Sequence, residues 1–303
     1  MTRRLAGAAE SNAMRAWIAK RPAVCFYLLT LALSWGYWLT LLALGERVVP
    51  GSVATHVPGL LGPMLAAMAV TAVIGGRHAL GDLLGRLARL GPGWFSKLML
   101  ALSPLALGAA AFATLRLLGK PLPPDPAFAH FPGLPQDWPL AAVVATVIVV
   151  NGFGEETGWR GFLTEQLLPR HGRWRATLWV ALLWSLWHLP LFWLNAGMAA
   201  LVGPVLIGWL FALFCGAFVL AQVYLATGHS ILCVALWHAA YNMMVATEGG
   251  AGLPAAIVSA VVMAWGVGVA LRWWRSPADS PGFDLRLDPL MPNADADAGD
   301  HGP

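Results

Sequence analysis

Two adjacent carboxylates, Glu155 and Glu156, and an arginine, Arg160, stand in the stretch NGFGEETGWRGFL, directly after the apolar run LAAVVATVIVV. A charge in hydrocarbon costs about 2.5–3.5 kcal/mol even on lenient scales, so ionisable residues there point to function. Glu156 and Arg160 are four apart, on one face of a helix, where they can pair and cancel one charge. Glu155 points elsewhere and is left available for chemistry. Gly152, Gly154, Gly158 and Gly161 around them leave room for close helix approach or local unwinding. Two further apolar stretches carry polar groups. LLWSLWHLPLFW holds His188, with Pro190 two residues on, whose missing N–H should kink the helix beside it. VALWHAAYNMM holds His238 and Asn242 at i, i+4, hence on one face. A carboxylate, two imidazoles and a carboxamide are the ingredients for activating water against a carbonyl. In that reading Glu155 takes the proton, a histidine helps hold the water, and His238 with Asn242 donates to the developing oxyanion. Glu155, His188 and His238 could alternatively bind a divalent metal such as zinc, as His₂Glu sites do.

These residues need a scaffold, and the composition states its class. The chain has 303 residues, 58% hydrophobic and 11% charged, with 16 Trp. Soluble domains carry about 25% charged residues. The reading is an all-α polytopic membrane helical bundle of about eight transmembrane helices, at 23–45, 57–75, 95–118, 139–158, 176–195, 202–226, 230–247 and 253–274. The first apolar run is too long for a signal-peptide core and reads as a retained span. Lys and Arg cluster at 3–21, 77–97, 170–175 and 272–286, in alternate connections, which places both termini in the cytoplasm of a multi-pass inner-membrane protein. High Ala, Gly and Arg with low Lys hints at a GC-rich bacterial genome.

The bundle is read as one unit, 1–275, with the chemistry in 139–247 and a polar, acidic, disordered tail at 276–303. GRHALGDLLGRLARLGPG, 76–93, has leucines at helical spacing between basic residues and reads as a short amphipathic helix on the inner membrane surface. The proline-rich stretch 119–139 reads as an extended outer loop. Cys25, Cys215 and Cys233 lie in apolar runs without metal spacing and read as small buried residues. His229 reads as a cytoplasmic loop histidine. HExxH, GxSxG and phosphate-binding glycine loops are absent from the sequence, and the basic residues fit membrane topology better than nucleic acid.

EETGWRGFL resembles the EExxxR motif of the CPBP family of intramembrane endopeptidases, the CAAX protease and bacteriocin-processing (Abi) family. WSLWH stands where that family has FxxxH, and HAAYN matches its HxxxN. The resemblance implies a membrane-embedded endopeptidase acting on a membrane-associated peptide or protein within the lipid bilayer. It implies Glu155 for water activation, Glu156 and Arg160 as supports, His188 for water or metal, and His238 with Asn242 for oxyanion or metal. Trp184 in place of Phe keeps an aromatic body and adds an N–H. The rival readings are a non-catalytic scaffold that binds other membrane proteins and a proton- or metal-coupled transporter. The inverted repeats that would support a transporter are not visible.

Overall fold

The computed structural model describes residues 13–276. The tail expected at 276–303 lies, beyond Ser276, outside them. Among the described residues the bundle is carried by α1 (Pro22–Ala43), α2 (Gly62–Gly85), α3 (Trp94–Ala101), α4 (Ser103–Leu117), α5 (Leu140–Val147), α6 (Glu165–Trp187), α7 (Pro204–Ala226), α8 (Ile231–Val245) and α9 (Leu253–Arg275). Between α5 and α6 the helix continues with wider turns over Ile148–Glu155 and Trp159–Thr164, around one α-helical turn at Glu156–Gly158. No strand occurs among the described residues; one isolated bridge joins Val48 to Asn195. The all-helical membrane class is as expected.

Among the described residues, five helices are long and apolar enough to cross a membrane, six if the pair α3 and α4, bent by 47°, counts as one span. The expected count of eight is therefore approximate, for two physical reasons. Leu140–Leu194 runs as 55 residues, far more than the roughly 20 a bilayer needs. It breaks at Gly172, whose φ of 67° is outside helical geometry, next to Pro169. The second half folds back on the first, since Trp184 reaches Glu155. Ile231–Val245, at 15 residues, is short for a span and is largely buried in protein instead.

The amphipathic segment expected at 76–93 exists in shortened form. The chain leaves helical geometry at Gly76 (φ 64°) and stays helical only to Gly85. Its Leu83 is buried and its Leu84 exposed. The proline-rich stretch 119–139 is more ordered than a free loop. Ala129, Phe131 and Leu134 pack with Val143, Val147, Ala239 and Met243 in a small second core, and Thr55 Oγ1 donates to the Gly133 carbonyl at 2.6 Å. Cys215 and Cys233 are buried, Cys25 half-buried, and all three are free thiols.

The segment 148–164 is the centre of the bundle. Glycines let neighbours touch its backbone. A Cβ on Gly152 would come within 2.8 Å of the Ala235 carbonyl oxygen of α8, and one on Gly158 within 2.5 Å of Pro63 at the start of α2. Those contacts bring α8 and α2 against the segment that carries the charged residues. The wide turns are the local unwinding the glycines allowed, a geometry frequent at functional sites.

Candidate active site

The wide-turned segment positions three charged side chains in the interior. Glu155 is 2% exposed; Glu156 and Arg160 are fully buried. Arg160 Nη1 donates to Glu156 Oε1 at 2.9 Å, so the expected i, i+4 pair is formed. The same Oε1 accepts from His238 Nδ1 at 2.7 Å. Glu156 therefore joins two helices, its own and α8. Its Oε2, together with Nε and Nη2 of Arg160, has no hydrogen-bond partner. The Arg160 guanidinium lies over the Trp184 ring, 4.8 Å from its centroid, which partly offsets the loss of hydration.

Glu155 is held separately. Its Oε2 accepts from Trp184 Nε1 at 2.8 Å, and its Oε1 from Asn151 Nδ2 at 3.4 Å, a long bond. The carboxylate that sequence reasoning left unpaired is thus oriented by the indole N–H that distinguishes tryptophan from phenylalanine here. Trp184 was noted as an added N–H, but its partner was not foreseen. Asn151, four residues before Glu155, was not singled out.

α6 ends at Trp187, and the chain tightens to i, i+3 bonds through His188 and Leu189 before Pro190. The break expected beside Pro190 is there, because Pro190 has no N–H to continue the ladder. His188 Nδ1 lies 2.7 Å from the Trp184 carbonyl. A carbonyl only accepts, so Nδ1 carries the proton and Nε2 is a free acceptor. The ring sits among three indoles, with centroids at 5.6 Å (Trp184), 4.8 Å (Trp187) and 5.5 Å (Trp209). Trp209, from α7, carried no motif that could have flagged it. Trp184 also stands edge-on to His238 at 5.7 Å, so one indole touches Glu155, Arg160, His188 and His238. Asn242 lies one turn beyond His238 on α8, half-buried.

The chemistry this allows follows from the bond directions. His238 donates a hydrogen bond from Nδ1 to a carboxylate, so its Nε2 bears a hydrogen only when the ring is imidazolium. The alternative metal reading fits less well. Among the described residues no three His, Cys, Asp or Glu side chains group so as to hold a metal ion. Glu155 is turned to Trp184, while the carboxylate nearest His238 is Glu156, itself tied to Arg160.

His229 lies in the turn between α7 and α8, as expected of a loop histidine, and its partner was not foreseen: half-buried, it bonds through Nδ1 to Glu165 Oε1.

Fold and site define a polytopic helical membrane protein with a cluster of ionisable side chains enclosed between its helices. Comparison with known proteins narrows this. Residues 136–244, which contain all three motifs, match the type II CAAX prenyl endopeptidase Rce1-like family. The chain is also 42% identical over 41 residues to "CAAX prenyl protease 2" of Methanococcus maripaludis. That alignment covers 14% of this chain, and the chain spans about 15% of that relative's length. The resemblance read from the three motifs is borne out on its CAAX-protease side.

Proposed function

We propose that this chain is an intramembrane endopeptidase that hydrolyses a peptide bond of a membrane-associated peptide or protein. The observation that carries the reading is convergence. Side chains from three stretches, at 155–160, 184–188 and 238, meet in one buried cluster, inside the segment that matches a protease family.

In this reading Glu155, oriented by Trp184, takes a proton from a water whose second hydrogen is held by the free Nε2 of His188. The water oxygen attacks the peptide carbonyl carbon. The developing oxyanion receives hydrogen bonds from the Nε2–H of His238, as imidazolium, and from the Asn242 carboxamide. Glu155 then returns the proton to the amide nitrogen as the C–N bond breaks, leaving a carboxylic acid and an amine. Glu156 and Arg160 fix the geometry and balance charge. The donor set does not group as a metal site, so no step is routed through a metal.

Positive residues at alternate connections favour a reading with both termini on the cytoplasmic side of an inner membrane. The substrate class is a peptide segment that enters the bundle from the bilayer. A prenylated C-terminus, the kind of substrate in the relative's name, is one form of it to test. The decisive comparison is of new protein N-termini in cells carrying wild type or Glu155→Gln. Termini seen only with wild type establish proteolysis and name substrates. Identical sets from the two strains, with Glu155→Gln folded, would defeat the proposal in favour of a scaffold.

A further inference from the structure

A second polar cluster lies at the end of the bundle where α7 turns into α8, and the proposed chemistry does not use it. Its hub is Glu165, at the start of α6, with a side chain only 10% exposed. One carboxylate oxygen, Oε1, accepts from Tyr224 Oη of α7 at 2.7 Å and from His229 Nδ1, with Arg86 Nη1 at 3.5 Å. Arg86 Nη1 also donates to Tyr224 Oη at 2.8 Å. Three groups, from the segment after α2, from α7 and from the turn before α8, thus meet on one oxygen of α6.

Two features show that the cluster is built to hold α8. First, His229 is the one non-glycine residue at positive φ among the described residues, at 61°. A β-carbon is disfavoured there, and glycine would be the default. The side chain is retained in an unfavourable backbone state, and its imidazole is what reaches Glu165. Second, the backbone around it anchors α8. The N–H groups of Ile231 and Leu232 donate to the Arg86 carbonyl, and Ser230 Oγ caps Cys233 N while donating to the Arg89 carbonyl. The first turn of α8 is therefore pinned to the segment after α2, and through His229 to the start of α6, which directly continues the segment carrying Glu155, Glu156 and Arg160. Two turns further along α8 stands His238, on Glu156.

We infer that Glu165 and His229 are positioning residues: their bond sets the placement of α8 against segment 148–164 and so holds His238 and Asn242 over the site. The catalytic part of this inference rests on the endopeptidase reading; the structural part does not.

The test uses the full chain in detergent or lipid nanodiscs, with His229→Gly, Glu165→Gln and His229→Asn. Glycine adopts the positive φ freely, so His229→Gly removes the imidazole while preserving the turn. Asparagine tolerates that backbone, and its Nδ2 stands the same number of bonds from Cβ as the histidine Nδ1. His229→Gly and Glu165→Gln should be folded, exchange the amides of 231–238 at least about tenfold faster, and lose turnover by up to about a hundredfold with KM little changed. His229→Asn should restore both. Faster exchange without lost turnover per folded molecule would overturn the positioning role and leave a structural tie. Unchanged exchange in both variants would overturn the inference altogether. If wild type cleaves nothing, the exchange arm still decides whether the latch exists.

Discussion

The Glu156–Arg160 pair makes an asymmetric prediction. Both side chains are fully buried, and breaking a buried pair by removing one partner costs about 3–5 kcal/mol because the other charge is left uncompensated. The two deletions are not equivalent here. Arg160 has one hydrogen bond, to Glu156 Oε1, and its Nε and Nη2 are unsatisfied. Glu156 has two, to Arg160 and to His238. Glu156→Gln keeps the volume but leaves a buried guanidinium without its counter-ion, so it should cost the full amount, about 3–5 kcal/mol. Arg160→Met removes the orphan-prone group, and the remaining carboxylate still has His238, which can carry the compensating proton. Its cost should be smaller, about 1–3 kcal/mol, the range for an imperfectly satisfied buried group. The double variant removes both charges, so its cost should fall well below the sum, with a coupling on the order of 2 kcal/mol. Thermal unfolding in detergent, followed through the tryptophans, measures this; each kcal/mol moves the midpoint by about 1.5–2 °C in a chain of this size. Equal midpoints for the two single variants, or strict additivity in the double, would refute the argument that Arg160 depends on Glu156 more than Glu156 depends on Arg160.

Trp184→Phe deletes the indole N–H on Glu155 while keeping an aromatic ring. Turnover should fall by about tenfold, the loss of roughly 1.5 kcal/mol for a hydrogen bond to a charged group, and an unchanged rate would mean that the 2.8 Å bond does not orient the base. Gly158→Ala pushes a methyl group into Pro63 at 2.5 Å, with the Pro63 carbonyl at 2.7 Å; it should destabilise by about 1–3 kcal/mol or more, and a wild-type midpoint would show that α2 does not pack on the charged turn as described. His56, buried outside the spans, is pushed down to about 4 by burial. Its neutral form is the folded one, so its contribution is complete above about 6.5 and is lost as pH falls towards 4, by about 3 kcal/mol. The loss of midpoint between pH 7 and 4.5 should therefore be smaller in His56→Asn than in wild type, and an equal loss would remove His56 as the cause.

The sequence made the helical class and the polar residues legible for one reason: charge and imidazole are rare in apolar runs, so Glu155, Glu156, Arg160, His188 and His238 stood out without any structure. The i, i+4 rule also anticipated the Glu156–Arg160 bond. Which carboxylate faces which helix was not legible. Assigning His238 to the oxyanion left its other ring nitrogen unaccounted for, and that nitrogen is the one on Glu156. The span count was blurred where local apolarity and helix length part company. Leu140–Leu194 is continuous by hydrogen bonding yet reverses at Gly172, while Ile231–Val245 is buried by protein rather than lipid.

Trp184 shows the deeper limit. Aromatic residues in membrane spans are common enough that one more carries little signal, and its motif position showed an added N–H without saying what that N–H meets. Its importance comes from position, since the indole touches Glu155 by hydrogen bond and Arg160, His188 and His238 through its ring. His229 is the same lesson in reverse. A histidine beside a glycine turn looks like solvent-exposed punctuation, and only the backbone angle of 61° shows that the chain accepts strain to keep an imidazole on Glu165. In a bundle of apolar helices, rare residue types mark the site. The residues that hold it are common types in costly places, and the cost is visible only in geometry.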